Sequence, residues 1–291
     1  MRRIPDFVGS LLILGLLILS LLTACAAQPI QFSGQAAFAH VQAQMKLGPR
    51  PTGSAAWRST GDYIVTQLKK SGWATEEQRF DYRGTEIRNI IGRKGSGPVM
   101  ILGAHYDTRR RADQDKTRPT DPVPGANDGA SGVAVLLELA RSLDTKKSSN
   151  EIWLAFFDAE DNGDLDGWEW TVGSRYMAQH LKVKPEVVIV VDMIGDADQQ
   201  IYFDRNSHPE WNQHIWNVAG ELGYSQQLIP QPRWAMFDDH TPFAQQGIPA
   251  VDIIDFDYPY WHTTADTADK LSPDSLERVG RTLQVLLEQP R

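Results

Sequence analysis

The feature that most constrains this chain is a series of short apolar runs of strand length, most ending at a histidine or a carboxylate. They are Pro98–Gly103, Glu151–Phe157, Val187–Val191, Gln200–Phe203 and Gly247–Ile254. Runs of four to eight residues without polar alternation suit strands buried on both faces, as in a parallel sheet. Segments with helical apolar spacing alternate with them: 35–47, 55–71, 131–143, 174–181, 209–222 and 272–287. Two further segments, Thr75–Tyr82 and Glu86–Gly92, alternate as half-exposed strands do. Strands alternating with helices predict an α/β fold with a mostly parallel central sheet and helices on both faces. A chain of 291 residues with 41% hydrophobic content can bury one large core, and no internal repeat or low-complexity linker divides it. One domain over 35–291 is the simplest reading. The polar stretch from Asp107 to Pro124 is read as a surface loop, and its Arg109–Arg111 run as a solvated face, with steering of acidic peptides as the alternative.

The first 25 residues stand apart. Arg2 and Arg3 precede a nearly unbroken apolar stretch, Leu11–Leu22, which ends in Leu22-Thr23-Ala24-Cys25. The stretch is shorter than the roughly 20 residues of a membrane span, and it reads as a secretory signal. Its ending resembles a bacterial lipobox, which implies cleavage before Cys25 and a lipid on that thiol; an uncleaved anchor helix is the alternative. Residues 26–34 read as a tether. Either way the domain is expected outside the cytoplasm, bound to the membrane through its N-terminus.

Cys25 is the only cysteine, so a disulfide within the chain and a thiolate metal site are both excluded for the mature domain. The net charge of -8 argues against nucleic acid as a partner.

Functional groups of α/β folds gather beyond the C-terminal ends of the strands. There the sequence places His105 and Asp107, then Asp158, Glu160 and Asp161, then Asp192, then Trp261 and His262. Asp128 precedes the helical segment 131–143. A lone Asp in such a place usually holds a turn or caps a helix, and Asp128 alone would be read as a cap. Several from separate strand ends, with no cysteine, form the His and carboxylate mix that suits one or two zinc ions.

Four segments together resemble the bacterial zinc-aminopeptidase family, the co-catalytic zinc exopeptidases: Gly103–Thr108, Asn127–Gly132, Phe157–Asp161 and His262–Thr267. The resemblance runs in order from about Gln35 to the C-terminus. It implies one zinc on His105 and Asp192, a second on Asp161 and His262, Asp128 bridging, Glu160 as general base, and Asp107 orienting His105. Asp238-Asp239-His240-Thr241-Pro242-Phe243, Trp261 before His262, and the tryptophan-bearing segment Asp166–Tyr176 are similar to the glutaminyl-peptide cyclotransferase branch. That branch implies a single zinc on Asp128, Asp161 and His262, with Glu160 as acid/base, Asp192 and Asp238 in a hydrogen-bond network, and Trp168 and Trp261 walling the pocket. The tryptophans could equally be core, and His240 is read as structural. His40, His180, His208 and His214 carry no motif.

The chain departs from the family at Asp161, where glutamate is usual, and at Asp252, where cyclases carry histidine. An aspartate is one methylene shorter, so the backbone must move in by about 1.5 Å or the zinc must be held differently, because zinc–oxygen bonds tolerate only about 0.2 Å. Two reactions on peptide N-termini follow from the resemblance. One is cyclisation of N-terminal glutamine to pyroglutamate with loss of ammonia; the other is hydrolysis of the first peptide bond. An inactive surface interaction domain is the reading from another class.

Overall fold

The computed structural model describes residues 30–289. The expected signal segment, its apolar run and Cys25 lie outside the described residues.

The chain opens with helices α1 (Gly34–Leu47) and α2 (Ala55–Lys70). Strands β1 (Ala74–Tyr82), β2 (Thr85–Gly95) and β3 (Val99–His105) follow. Then come α3 (Ala130–Ser142), β4 (Glu151–Phe157), α4 (Val172–His180) and β5 (Val187–Asp192). The last third holds β6 (Ile201–Phe203), α5 (Pro209–Glu221), β7 (Leu228–Pro232), α6 (Thr241–Gln245), β8 (Ala250–Ile254) and α7 (Pro273–Glu288).

Six strands make the central sheet in the order β1-β2-β4-β3-β5-β8. β1, β2 and β4 pair antiparallel, whereas β4, β3, β5 and β8 run parallel. The parallel strands are buried along nearly their whole length, which is why their sequences are apolar without alternation. Period-two geometry still sorts their side chains. Met100, Leu102, Ile152 and Leu154 face the core under α1, α2, α3, α5 and α7. Val99, Ile101, Trp153 and Phe157 face a second core with Met177 of α4 and Phe243 of α6. The α/β architecture with helices on both faces is therefore as expected.

Two boundaries differ from expectation. Segment 200–203 is not a buried strand of the main sheet. As β6 it pairs with β7 in a separate two-stranded sheet, and two of its three residues are half-buried. The tether does not reach Gly34. Phe32 is buried, its backbone N–H bonds Gln284, and Ser33 caps α1 while its own N–H bonds Glu138. The folded domain thus begins at about Gln31.

Parallel pairing brings the C-terminal ends of β3, β4, β5 and β8 to one edge. α3 packs closely there, because a Cβ on Gly132 would lie 2.4 Å from the carbonyl oxygen of Val191. Only glycine permits that approach of helix to strand.

Candidate active site

His105 is the last residue of β3 and Asp192 the last of β5, and their side chains meet at 3.1 Å. Asp128 immediately precedes the N-terminus of α3. No side chain caps that helix, so the cap reading fails for Asp128. Its carboxylate turns instead to the imidazoles, with Oδ1 3.1 Å from His105 Nε2 and Oδ2 3.6 Å from His262 Nε2. Asp161 follows β4 and places Oδ1 3.0 Å from His262 Nε2. Ala159, just before Glu160, and His262 itself both take left-handed backbone conformations, with φ of 56° and 54°. Such conformations cost on the order of 1–3 kcal/mol and persist where surrounding packing imposes them.

Asp107 Oδ1 lies 3.6 Å from His105 Nδ1, facing the imidazole it was expected to orient. It has a second task that the sequence did not suggest. Oδ1 accepts the N–H of Glu160 at 3.1 Å and Oδ2 that of Asp161 at 3.3 Å, so one carboxylate fixes the turn that carries both residues.

Among the described residues, two groups of three could hold a metal: His105, Asp128 and Asp192, and Asp128, Asp161 and His262. The ligand atoms of each group lie within 4.8 Å of one another, and Asp128 belongs to both. All five side chains are buried. Asp128 Oδ2 and both oxygens of Asp161 accept no aligned hydrogen bond, although Asp161 Oδ1 lies close to the His262 ring. Buried carboxylate oxygens left without donors are costly unless a cation satisfies them. Nitrogen and oxygen donors in this number fit zinc. Asp161, although shorter than glutamate, does reach the ligand cluster.

The charges of the site explain its titration. Burial alone would lower the proton affinity of His105, but Asp192, Asp107 and Asp128 outweigh it and raise it well above the usual imidazole range. Burial likewise opposes the cation of His262, yet Asp161, Asp113 and Asp128 lift it to about 9. Burial and the charge of Asp128 push Asp161 up to about 6, and burial pushes Asp192 to about 7. Burial drives Glu160 well above the carboxylate range, reinforced by Asp238, Asp161 and Asp239. Acids crowded this way gain from a bound dication.

A cavity of about 310 Å³ opens over the cluster. Glu160, Asp128, Asp161, Asp192, Asp238 and His262 supply its polar wall. Met193, Met236, Phe237, Ile254, Phe256, Trp170 and Trp261 supply the apolar one. Asp238 and Trp261 are therefore where expected. Trp168 is not. It packs with Ile87, Ala159 and Val172, away from the cavity, with Tyr82 edge-on at 5.2 Å. Trp170 takes the pocket position and lies parallel to the His262 ring at 6.0 Å, while Trp261 stacks on His262 at 3.8 Å.

The arginine run is also misread by its charge. Arg109 is only 2% exposed and bonds both oxygens of Asp113, at 2.7 and 2.8 Å. Arg110 bonds Asn162 and covers Trp168, and Arg111 alone resembles a solvated residue. His240 is fully buried behind Asp238, 3.4 Å from Asp204 and 3.7 Å from Asp252, in keeping with a structural role. The substituted Asp252 thus faces an imidazole.

Residues 89–287 match Peptidase family M28. The chain belongs to this family. Its fold and that of a glutaminyl cyclase from Porphyromonas gingivalis superimpose with a TM-score of 0.83 at 35% identity, covering 89% of this chain and 98% of that one. A leucine aminopeptidase precursor from Bacteroides thetaiotaomicron gives 0.85 at 30% identity, over 91% and 99% of the two chains. A Zn-dependent exopeptidase from Parabacteroides distasonis gives 0.84 at 30%, over 90% and 100%. As an M28 protein, this chain is an enzyme of the cyclase or the aminopeptidase kind.

Proposed function

We propose that this protein is a zinc-dependent glutaminyl-peptide cyclotransferase that converts N-terminal glutamine to pyroglutamate. One observation carries the choice. Asp161 Oδ2 is buried beside His262 and Glu160 with neither a hydrogen bond nor an ion pair, whereas Asp192 Oδ1 is already hydrogen-bonded to His105. That difference supports a single zinc on Asp128, Asp161 and His262, with His105 and Asp192 closed on each other as a polar support.

Zinc held there would act as a Lewis acid on the side-chain carbonyl of the substrate glutamine. The cavity would admit one terminal side chain, its methylenes against Trp261, Trp170 and Phe256. Glu160 accepts a proton from the terminal amine, whose nitrogen then attacks the side-chain amide carbon of the same residue. As the bond from that carbon to the amide nitrogen breaks, Glu160 returns the proton and ammonia leaves. Burial and the nearby Asp238 charge raise the proton affinity of Glu160, which suits a group that must take a proton and hold it. Attack within one residue makes orientation a large part of the rate, and a narrow aromatic slot provides orientation.

The test is an N-terminal Gln peptide given to the zinc-loaded domain. Ammonia release, with a product lighter by one ammonia, supports the proposal, and an unchanged peptide overturns it. The aminopeptidase reading has its own observation, since the sharing of Asp128 by both ligand groups also suits a bridged zinc pair. Glu160 would then take a proton from water, and Asp238 would hold the α-amine.

We also propose a membrane-anchored, extracytoplasmic enzyme, lipidated on Cys25. Cys25→Ala should release the protein from the membrane fraction of a bacterial host, and unchanged partitioning would oppose a lipid anchor.

A further inference from the structure

Arg109 spends its guanidinium entirely inside the protein. Besides the two bonds to Asp113, Nη1 donates to the carbonyl oxygens of Asp161 and Gly163, both at 3.2 Å, and lies 3.6 Å from Asp161 Oδ1. Its Cζ sits 4.8 Å from the centre of the Trp170 ring, the ring that parallels His262. Asp113, on the far side of this fork, brings Oδ1 to 3.5 Å from His262 Nδ1. One ion pair therefore touches two candidate zinc ligands that come from separate segments, the turn after β4 and the loop after β8.

We propose that Arg109 and Asp113 are positioning residues for the metal, clamping Asp161 and His262 at ligand distance from each other. A metal-bound imidazole needs its second nitrogen held, and Asp113 is the group facing it. Asp161 has a short side chain, so its reach depends on where its backbone lies, and Arg109 pulls on the backbone carbonyls of 161 and 163. A lone cation beside zinc would oppose binding; Asp113 neutralises it, leaving the planar fork to act through geometry. Lysine could keep the charge but not the fork. The clamp rests on the zinc site and applies to either reaction.

The variants are Arg109→Lys, Asp113→Asn and Arg109→Lys combined with Asp161→Glu. Zinc affinity is read by chelator competition, and ligand geometry by the visible spectrum of the cobalt-loaded protein. The clamp predicts zinc binding weaker by about 10–100-fold in both single variants, the range found for partners that orient ligands. It also predicts altered cobalt bands, and an affinity loss in Asp113→Asn larger than any fall in its metal-free melting temperature explains, since Asp113 also neutralises the buried Arg109. The longer glutamate should recover part of the affinity lost in Arg109→Lys. Wild-type affinity in both single variants overturns the clamp, as does a loss that merely follows a lower metal-free melting temperature. A wild-type protein that binds no zinc would instead overturn the metal site itself.

Discussion

At the scale of single residues, Glu160 concentrates the account. It sits on a turn fixed by Asp107, is buried, and lies among acids that raise its proton affinity. Glu160→Gln keeps the shape and removes the proton acceptor. Turnover should fall by about 10²–10⁴, the usual contribution of a positioned acid/base, while zinc affinity stays near wild type. A variant retaining a tenth of the activity would move the proton transfer elsewhere. A second carboxylate gives a test of stability. Asp255 accepts the N–H groups of Gln200 and Asp257, yet burial raises it to about 7. A buried acid with a raised value binds its proton more tightly when folded, so its contribution to stability declines as pH climbs from about 4 to about 7 and is level above. Denaturant titrations of wild type and Asp255→Asn should show the difference shifting in favour of the variant across that interval. A constant difference would contradict the raised value.

At the scale of elements, the site depends on how α3 seats against β3. A Cβ on Gly129 would lie 2.6 Å from the carbonyl oxygen of His105 and 2.7 Å from its ring. Gly129→Ala should therefore displace His105, lower the melting temperature by several degrees, and weaken metal binding; a neutral outcome would mean the contact relaxes freely. The elements that carry the site were legible because burial on both faces leaves strands such as β3 and β5 no polar positions. β7 was not, since its two prolines read as turn signals, and α6 is too short to show a period. Trp168 and Trp170 share a segment with left-handed residues at Asp164, Asp166 and Thr171, so no regular spacing told which indole turns inward. Arg109 looked solvated because its partners include carbonyls about 50 residues onward, and only the fold brings them together.

At the scale of the whole molecule, the N-terminal segment closes the domain. Phe32 packs against Gly280 of α7, where an added Cβ would strike its ring at 2.1 Å. Phe32→Ala should cost about 3–5 kcal/mol in chemical denaturation, as buried phenylalanines do, and a value under 1 kcal/mol would return the segment to the tether. The proposed cyclisation calls for one zinc and one buried base, Glu160. The most direct measurement offers the zinc-loaded domain equal amounts of a peptide beginning with Gln and one beginning with Leu, and identifies the products. The account predicts pyroglutamyl peptide and ammonia from the first, with the second intact. Free leucine without pyroglutamate would contradict it and assign His105 and Asp192 to a second zinc.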